Sequence, residues 1–221
     1  MEKNETKVKV LKKAVVWKNL YFYRKSDTIY QLTVEFCRRF LPVHGDRTVD
    51  QMVQAARSGK QNIVEGSEDG LTSSEMEIKL LNIARGSLQE LRTDYLDYLN
   101  TRHLAVWSQE NERQQRLRDF CHSHNDYSDY EPLTGKMTAE EMANLVLTLC
   151  HQTDKMMCAY IERLEKRFVE EGGIKERMYA ARTGYRQQQD ARLKALEAEN
   201  QRLKAENEAL RKRIESLEGR N

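Results

Sequence analysis

The chain has 221 residues, enough for one domain of about 150 residues with an appendage. Charged residues make up 33% and prolines number only 2, which favours long helices over strands, while 37 basic and 35 acidic side chains nearly cancel and name no partner by themselves. No apolar run approaches the roughly 18 residues of a membrane span, lysines break up Val8 to Val16 where a signal peptide needs a clean apolar stretch, and Cys37, Cys121, Cys150 and Cys158 lack a paired framework spacing, so reduced thiols in a cytoplasm are expected.

Residues 1–25 hold eight basic side chains (Lys3, Lys7, Lys9, Lys12, Lys13, Lys18, Arg24, Lys25) against Glu2 and Glu5, mixed with Trp17, Tyr21, Phe22 and Tyr23. This reads as a basic, aromatic arm docked on the domain that follows. A first helix is expected from Ser26 and Asp27, with Ile29, Leu32, Thr33, Phe36, Cys37 and Phe40 on one face, ended by Pro42 and the turn His44-Gly45. A second should start at Asp46 or Thr48, where Thr48 and Gln51 have capping-box spacing, and should close on Gly66. Its apolar face is Val49, Met52, Val53, Ala56, Gly59 and Ile63. Thr72 and Glu75 suggest a box opening a third helix, with Met76, Leu80, Ile83, Ala84, Ser87, Leu88, Leu91 and Tyr95 as its face.

Residues 104–137 read as an insertion, helical over Ser108–Phe120 and a polar loop over Cys121–Gly135. Thr138 and Glu141 then cap a fourth helix, whose face is Met142, Leu145, Val146, Leu149, Met156, Tyr160, Leu164 and Phe168 and whose end is Gly172-Gly173. Four amphipathic helices in succession over residues 26–172 predict an all-α, up-down-up-down four-helix bundle. A basic linker, 173–188, leads to the last segment, 189–221.

That segment has a heptad. Leu196, Leu203, Leu210 and Leu217 occupy d, and Leu193, Asn200, Asn207 and Ile214 occupy a. Asparagine at a is costly in a buried seam but specifies register and two strands. In a parallel pair the g-to-e partners Arg192–Glu197, Glu199–Lys204, Glu206–Arg211 and Arg213–Glu218 all attract. A parallel homodimeric coiled coil is expected, against the alternative of a charged helix packed on its own domain.

Within the bundle, GDRTVDQMVQAARSGKQNIVEG at 45–66 and MEIKLLNIARGSLQEL at 76–91 resemble the four-helix-bundle family of the ribosomal-RNA intervening-sequence protein, in the suffix-domain branch that carries extra sequence at both ends. The matching positions are Gln51, Ala55, Ala56, Ser58, Asn62, Ile63, Glu65 and Gly66, then Ala84, Gly86, Ser87, Leu88, Glu90 and Leu91. The resemblance covers roughly residues 26–100. It implies a small bacterial bundle that self-associates to higher order. Through a distant likeness to the accessory proteins of diversity-generating retroelements, it also implies association with RNA or DNA or with a reverse-transcriptase-like protein. The chain departs from the family where two arginines often follow the motif glutamine, since Val53 and Gln54 stand there.

Candidate nucleic-acid contacts are Lys12, Lys13, Trp17 and Lys18 in the arm, where charge and stacking surface coincide, and Arg57, Lys60 and Arg85 in the helices; Glu65, Glu68, Asp69, Glu75 and Glu77 lie beside the latter. The segment 175–194 stands where a basic-region reader would, but Met178 replaces the expected asparagine and Gly184 weakens a continuous helix. No glutamate lies three residues before any histidine, so the paired motif of a di-iron bundle is missing. Cys121, His122, His124, Cys150 and His151 offer a zinc alternative, and Glu65 and Glu90 an acid–base one; against these, Cys150 borders an apolar stripe, and the two carboxylates have structural readings, Glu65 with Asn62 at a helix end and Glu90 paired with a neighbouring helix. Gly66 to Gly70 lacks the lysine of a phosphate loop. No catalytic set, metal or cofactor is expected. The function expected is a non-catalytic oligomeric adaptor associated with RNA or a nucleic-acid enzyme, the alternatives being a protein-binding scaffold and a metal-dependent enzyme.

Overall fold

The computed structural model describes residues 10–11, 15–42 and 47–218. They form a 3-10 turn (Trp17–Asn19) and seven helices: α1 (Tyr21–Phe40), α2 (Arg47–Asp69), α3 (Ser74–Thr101), α4 (Glu112–Ser123), α5 (Tyr127–Thr134), α6 (Ala139–Glu171) and α7 (Ile174–Glu218). No strand occurs among the described residues, and none of their helices is long and apolar enough to cross a membrane. Two compact units result: a helical body, Leu11–Ile174, and a second unit in which α7 is the helix and Arg177 donates to the Val10 carbonyl at 3.3 Å.

In the body, α1, α2, α3 and α6 touch one another in a closed cycle, with α4 laid on α6 and α5 on α1. Their apolar stripes meet in one core, where Phe36 is ringed by Tyr95 and Tyr98 at 4.9 and 4.8 Å. The buried Tyr95 hydroxyl donates to Thr33 at 3.2 Å, and Thr33 in turn donates to the Ile29 carbonyl at 2.7 Å, so a hydroxyl in the core is satisfied by a neighbouring helix.

Several boundaries differ from the sequence expectation. The first helix begins at Tyr21, a turn early, because buried Phe22 extends the Ile29–Leu32–Phe36 face backwards; Ser26 is interior and donates to the Tyr23 carbonyl at 2.7 Å. Its end is as expected: Leu41 is extended, as the residue before a proline must be. His44-Gly45 and Asp46 lie outside the described residues. Thr48 is inside α2, and α2 runs through Gly66 to Asp69, so Gly66 is no cap. The cap of α3 is Ser73, which accepts from the Met76 amide at 3.1 Å, in place of Thr72. On α3 the expected Ala84, Ser87, Leu88, Leu91 and Tyr95 are buried, but towards its start Glu77 and Leu81 are buried instead, while Met76 and Ile83 are 40% and 45% exposed. Similarly, Met157 and Ile161 of α6 are buried where Met156 and Tyr160 were expected, and Phe168 is exposed.

The ends of α6 match their signals. Thr138 and Glu141 form a reciprocal capping box, and Gly172 takes φ 70°, a left-handed conformation that glycine adopts without penalty. The stretch 104–137 is more ordered than a polar loop. Asp126 and Asp129 cap α5, and Cys121, Tyr130 and Thr134 are buried beneath it. Helix α1 holds this region by polar contacts: the Lys25 ammonium donates to the Cys121 and His124 carbonyls, Thr28 to the Asn125 carbonyl at 2.9 Å, and Arg39 to the Met137 carbonyl at 2.9 Å. Arg24 pairs with Asp126 through Nε at 2.6 Å.

Two carboxyls pin this stretch, and both are held below the usual carboxylate range. Asp126 is held there by Arg24, and Glu140 by the Trp107 indole N–H at 2.9 Å and the Ala105 amide at 3.1 Å. A carboxyl depressed by folding contributes stability above its unfolded pKa and loses it as pH falls through the folded value. Acidification from neutral to about pH 3 is therefore expected to release the Ala105–Trp107 turn before the helices melt. In a Trp17→Phe chain, Trp107 emission should shift to the red while the helical circular dichroism is constant. Emission that moves only with global unfolding would show that these bonds do not stabilise the turn.

Helix α7 is 45 residues long, and none of its described side chains is buried. It joins the linker from Ile174 to the heptad row as far as Glu218 in one helix, which Gly184 does not interrupt.

Candidate functional site

The family-motif residues fall into two groups. The inward group builds the seam between α2 and α3. A Cβ on Gly59 would stand 2.8 Å from Leu88 Cγ, and one on Gly66 3.2 Å from Leu80 Cβ, so glycine is what lets the helices approach there. Ala55, Ala56 and Ala84 are buried alongside. Ser58 Oγ lies 2.9 Å from Ser87 Oγ; Ser87 donates to the Ile83 carbonyl at 3.2 Å, which leaves Ser58 as donor between the two hydroxyls. Asn62 donates to the Ser58 carbonyl at 2.9 Å, so it secures this polar bridge rather than the end of α2. The outward group is Gln51, Glu65, Gly86 and Glu90, all exposed. Glu65 accepts from Gln61 at 3.3 Å, and a side chain at Gly86 would meet nothing within 4 Å. Neither Glu65 nor Glu90 sits in a closed site where its carboxyl would be set up for proton transfer.

The described candidate nucleic-acid contacts differ in their surroundings. Lys12 and Lys13 lie outside the described residues. Trp17 packs edge-on against Tyr23 at 4.5 Å with the Lys18 ammonium 5.2 Å from its ring. Lys60 is 3.1 Å from Asp27 and 4.3 Å from the Tyr30 ring centre. Arg85 is bound at 2.8 Å by Asp154 of α6, whose hydrogen bond raises the guanidinium's pKa further. Arg57 is exposed. Two of these cations are therefore largely compensated by carboxylates on neighbouring helices, which weakens their pull on phosphate.

Histidines and cysteines do not assemble either. Cys121 and Cys150 are buried in the core, and burial pushes their thiols up to about 11 and about 12, well away from the thiolate a metal needs. No group of three His, Cys, Asp or Glu side chains suited to a metal occurs among the described residues.

Two of the zinc candidates, His122 and His151, converge with residues not singled out from the sequence at a cleft of about 520 Å³ between α3, α4 and α6. Arg92, Arg118 and Lys155 stand at its walls with His122 and His151. Of the arginines on α4 only Arg118 lines it, and its other cations, Arg92 and Lys155, are 63 residues apart in sequence, so no local pattern announces the cleft.

On α7 the heptad is intact and uncovered in the single chain. Leu193, Leu196, Leu203, Leu210, Ile214 and Leu217 are between 45% and 61% exposed. Asn200 and Asn207 are exposed in the same row, and Asn207 donates to the Leu203 carbonyl at 3.1 Å.

The sequence model of the 23S rRNA-intervening sequence protein family matches residues 18–122, the segment containing α1 to α3 and most of α4. This is the family that the motifs resemble. No curated protein and no solved structure matches the chain.

Proposed function

We propose, from the match of residues 18–122 to that family, that this protein is a non-catalytic oligomeric adaptor that associates with RNA or with an enzyme acting on nucleic acid. In this reading the helical body is an up-down-up-down four-helix bundle, and α7 is one strand of a parallel two-stranded coiled coil. The observation that carries it is the long helix with a complete, exposed heptad row. A helix of this kind finds its stability in tertiary burial, and a second copy supplies the matching row. RNA as partner class is supported by the family's name, which ties its namesake to 23S rRNA. Four free thiols, three of them buried, fit a reducing compartment such as a cytoplasm.

The test is direct. The purified full chain should carry excess absorbance at 260 nm. Its affinity for a labelled single-stranded RNA should fall about fifty-fold between roughly 50 and 200 mM salt if about four phosphates are neutralised. Clean protein absorbance with no salt-sensitive binding would overturn the RNA reading. It would leave the second one, a scaffold for other proteins, which the pairing of Lys60 with Asp27 and of Arg85 with Asp154 favours.

A further inference from the structure

The cleft between α3, α4 and α6 has a chemistry that the adaptor reading does not use. Its cations are Arg92 on α3, Arg118 on α4 and Lys155 on α6, so positive charge enters from three sides. The opposing carboxylate is Asp119, whose oxygen is 3.9 Å from Arg118 Nε with both side chains more than half exposed, too loose a pair to neutralise the cleft.

Gln114 and Gln152 line the same cleft, and the Oε1 atom of each is buried without a donor among the described residues. Their orientation follows from their other ends. Thr148 donates to the Asn144 carbonyl at 2.8 Å, so it accepts the Gln114 amide at 3.0 Å; the Gln152 amide donates to the Arg118 carbonyl at 2.9 Å. Both NH₂ groups are thus committed, and both oxygens are left as acceptors. Both oxygens are closed to solvent, so these two side chains tie α4 to α6 and leave ligand contacts to the cations and Trp107. Trp107 adds an aromatic wall, fixed by its amide to Asn144 Oδ1 and by its indole N–H to Glu140, both at 2.9 Å.

We propose that this cleft binds a phosphorylated nucleoside, its phosphate held by Arg92, Arg118 and Lys155 and its base laid against the Trp107 ring. Three cations select a multiply charged anion, which a phosphate monoester is. The Trp107 ring offers a face on which a base can stack, which inorganic phosphate lacks. The volume is that of a small-molecule site. A free mononucleotide and the 5′-phosphorylated end of an RNA strand offer the same chemistry, and the inference stands on the cleft alone.

Calorimetry with the full chain separates the outcomes. The probes are the four 5′-ribonucleoside monophosphates, their nucleosides, inorganic phosphate, and tetraribonucleotides with and without a 5′-phosphate. At least one monophosphate or the 5′-phosphorylated tetranucleotide should bind once per chain. Its nucleoside or 5′-hydroxyl counterpart, and inorganic phosphate, should each bind at least tenfold more weakly. The exposed-side double variant Arg118→Gln with Lys155→Gln should weaken that binding at least tenfold with an unchanged melting temperature. Preference for the monophosphate marks a free nucleotide as the ligand, and preference for the tetranucleotide marks an RNA end; both support the proposal. No binding by any probe at millimolar concentration, inorganic phosphate binding as tightly as the nucleotides, or binding indifferent to the double variant overturns it. None of those failures bears on the salt-dependent RNA test, which reads the whole surface.

Discussion

Charging the heptad row of α7 through Leu203→Glu with Leu210→Glu is expected to reduce the association state of the protein to that of a chain ending near Arg186. The two leucines occupy consecutive d positions and are 45% and 52% exposed in the single chain. In a parallel pair each would face its own copy. Every d-layer pair buries two leucines, and fully burying a leucine side chain contributes about 1.5–3 kcal/mol. Glutamate there removes that contribution and sets two like charges against each other in a desolvated seam, which costs several kcal/mol per layer or forces the seam open. Two adjacent layers so altered exceed what the remaining Leu193, Leu196, Ile214 and Leu217 layers can offset. Ala205→Glu, at an f position on the outer face, is the control and should leave the mass unchanged. Sedimentation equilibrium reads the result, with circular dichroism reporting a parallel loss of helix. An unaltered mass in the double variant would remove the coiled-coil reading. A sharper arm is Asn200→Ile with Asn207→Ile. This should make the assembly more heat-stable yet heterogeneous in register or stoichiometry, because the asparagines give up stability for a single arrangement.

What could be read in the sequence depended on whether the interacting residues lie close in the chain. The Thr138–Glu141 capping box and the stop at Gly172 are local devices, and both are found where their spacing puts them. The α2–α3 seam was legible for a related reason, since Ala55, Ala56, Gly59 and Ala84 are small residues with few other reasons to recur in helix interiors. Only the first turns of the α3 face were misjudged, because Met76, Leu80 and Ile83 carry the apolar signal there while one of the buried residues, Glu77, is charged. Buried Glu77 then takes a hydrogen bond from Tyr160 at 3.1 Å, an arrangement no hydrophobic pattern announces. Helix α5 was hidden by its polarity. Its groups are satisfied by Arg24, Thr28 and Arg39, about a hundred residues earlier. The same distance hid the compensation of Lys60 and Arg85, and it hid the cleft, whose cations sit on three helices.

Replacing Lys25 by methionine is expected to be among the most destabilising single changes in the helical body, although the two side chains are of similar length. Lys25 is 2% exposed and has no carboxylate in an ion pair among the described residues; it donates to the Cys121 and His124 carbonyls. These carbonyls lie at the last turn of α4 and its cap, where the helix presents unpaired acceptors and partial negative charge, so a cation is favoured there. The Tyr130 hydroxyl also reaches the His124 carbonyl, at 2.8 Å, but Lys25 is the donor that spans both. Hydrogen bonds from a charged group contribute about 1.5–3 kcal/mol each, against which methionine recovers the desolvation penalty of the ammonium. A net loss of about 2–4 kcal/mol is expected, and for a body of this size each kcal/mol lowers the melting temperature by about 2–4 °C. The pH dependence gives a second, independent check. Burial lowers the pKa of Lys25 below the ordinary lysine value. Between the folded and unfolded values the unfolded chain binds a proton that the folded one does not, so this group adds stability as pH rises through that window. Tyr95, Tyr130 and Tyr160, raised by burial, act in the opposite sense, but they are common to both proteins and largely cancel in the difference. The stability gap between the original chain and the variant should therefore be constant near neutral pH and widen in the alkaline range just below the ordinary lysine pKa. A melting temperature within a degree or two of the original would show that the ammonium merely fills space, and a gap that narrows with pH would show that its charge, rather than its N–H groups, holds α4 in place. Because Cys121 is one turn beyond Arg118 on the same helix, loosening this anchor should also show as faster amide exchange along the wall of the cleft, well before the core formed by α1, α2, α3 and α6 exchanges.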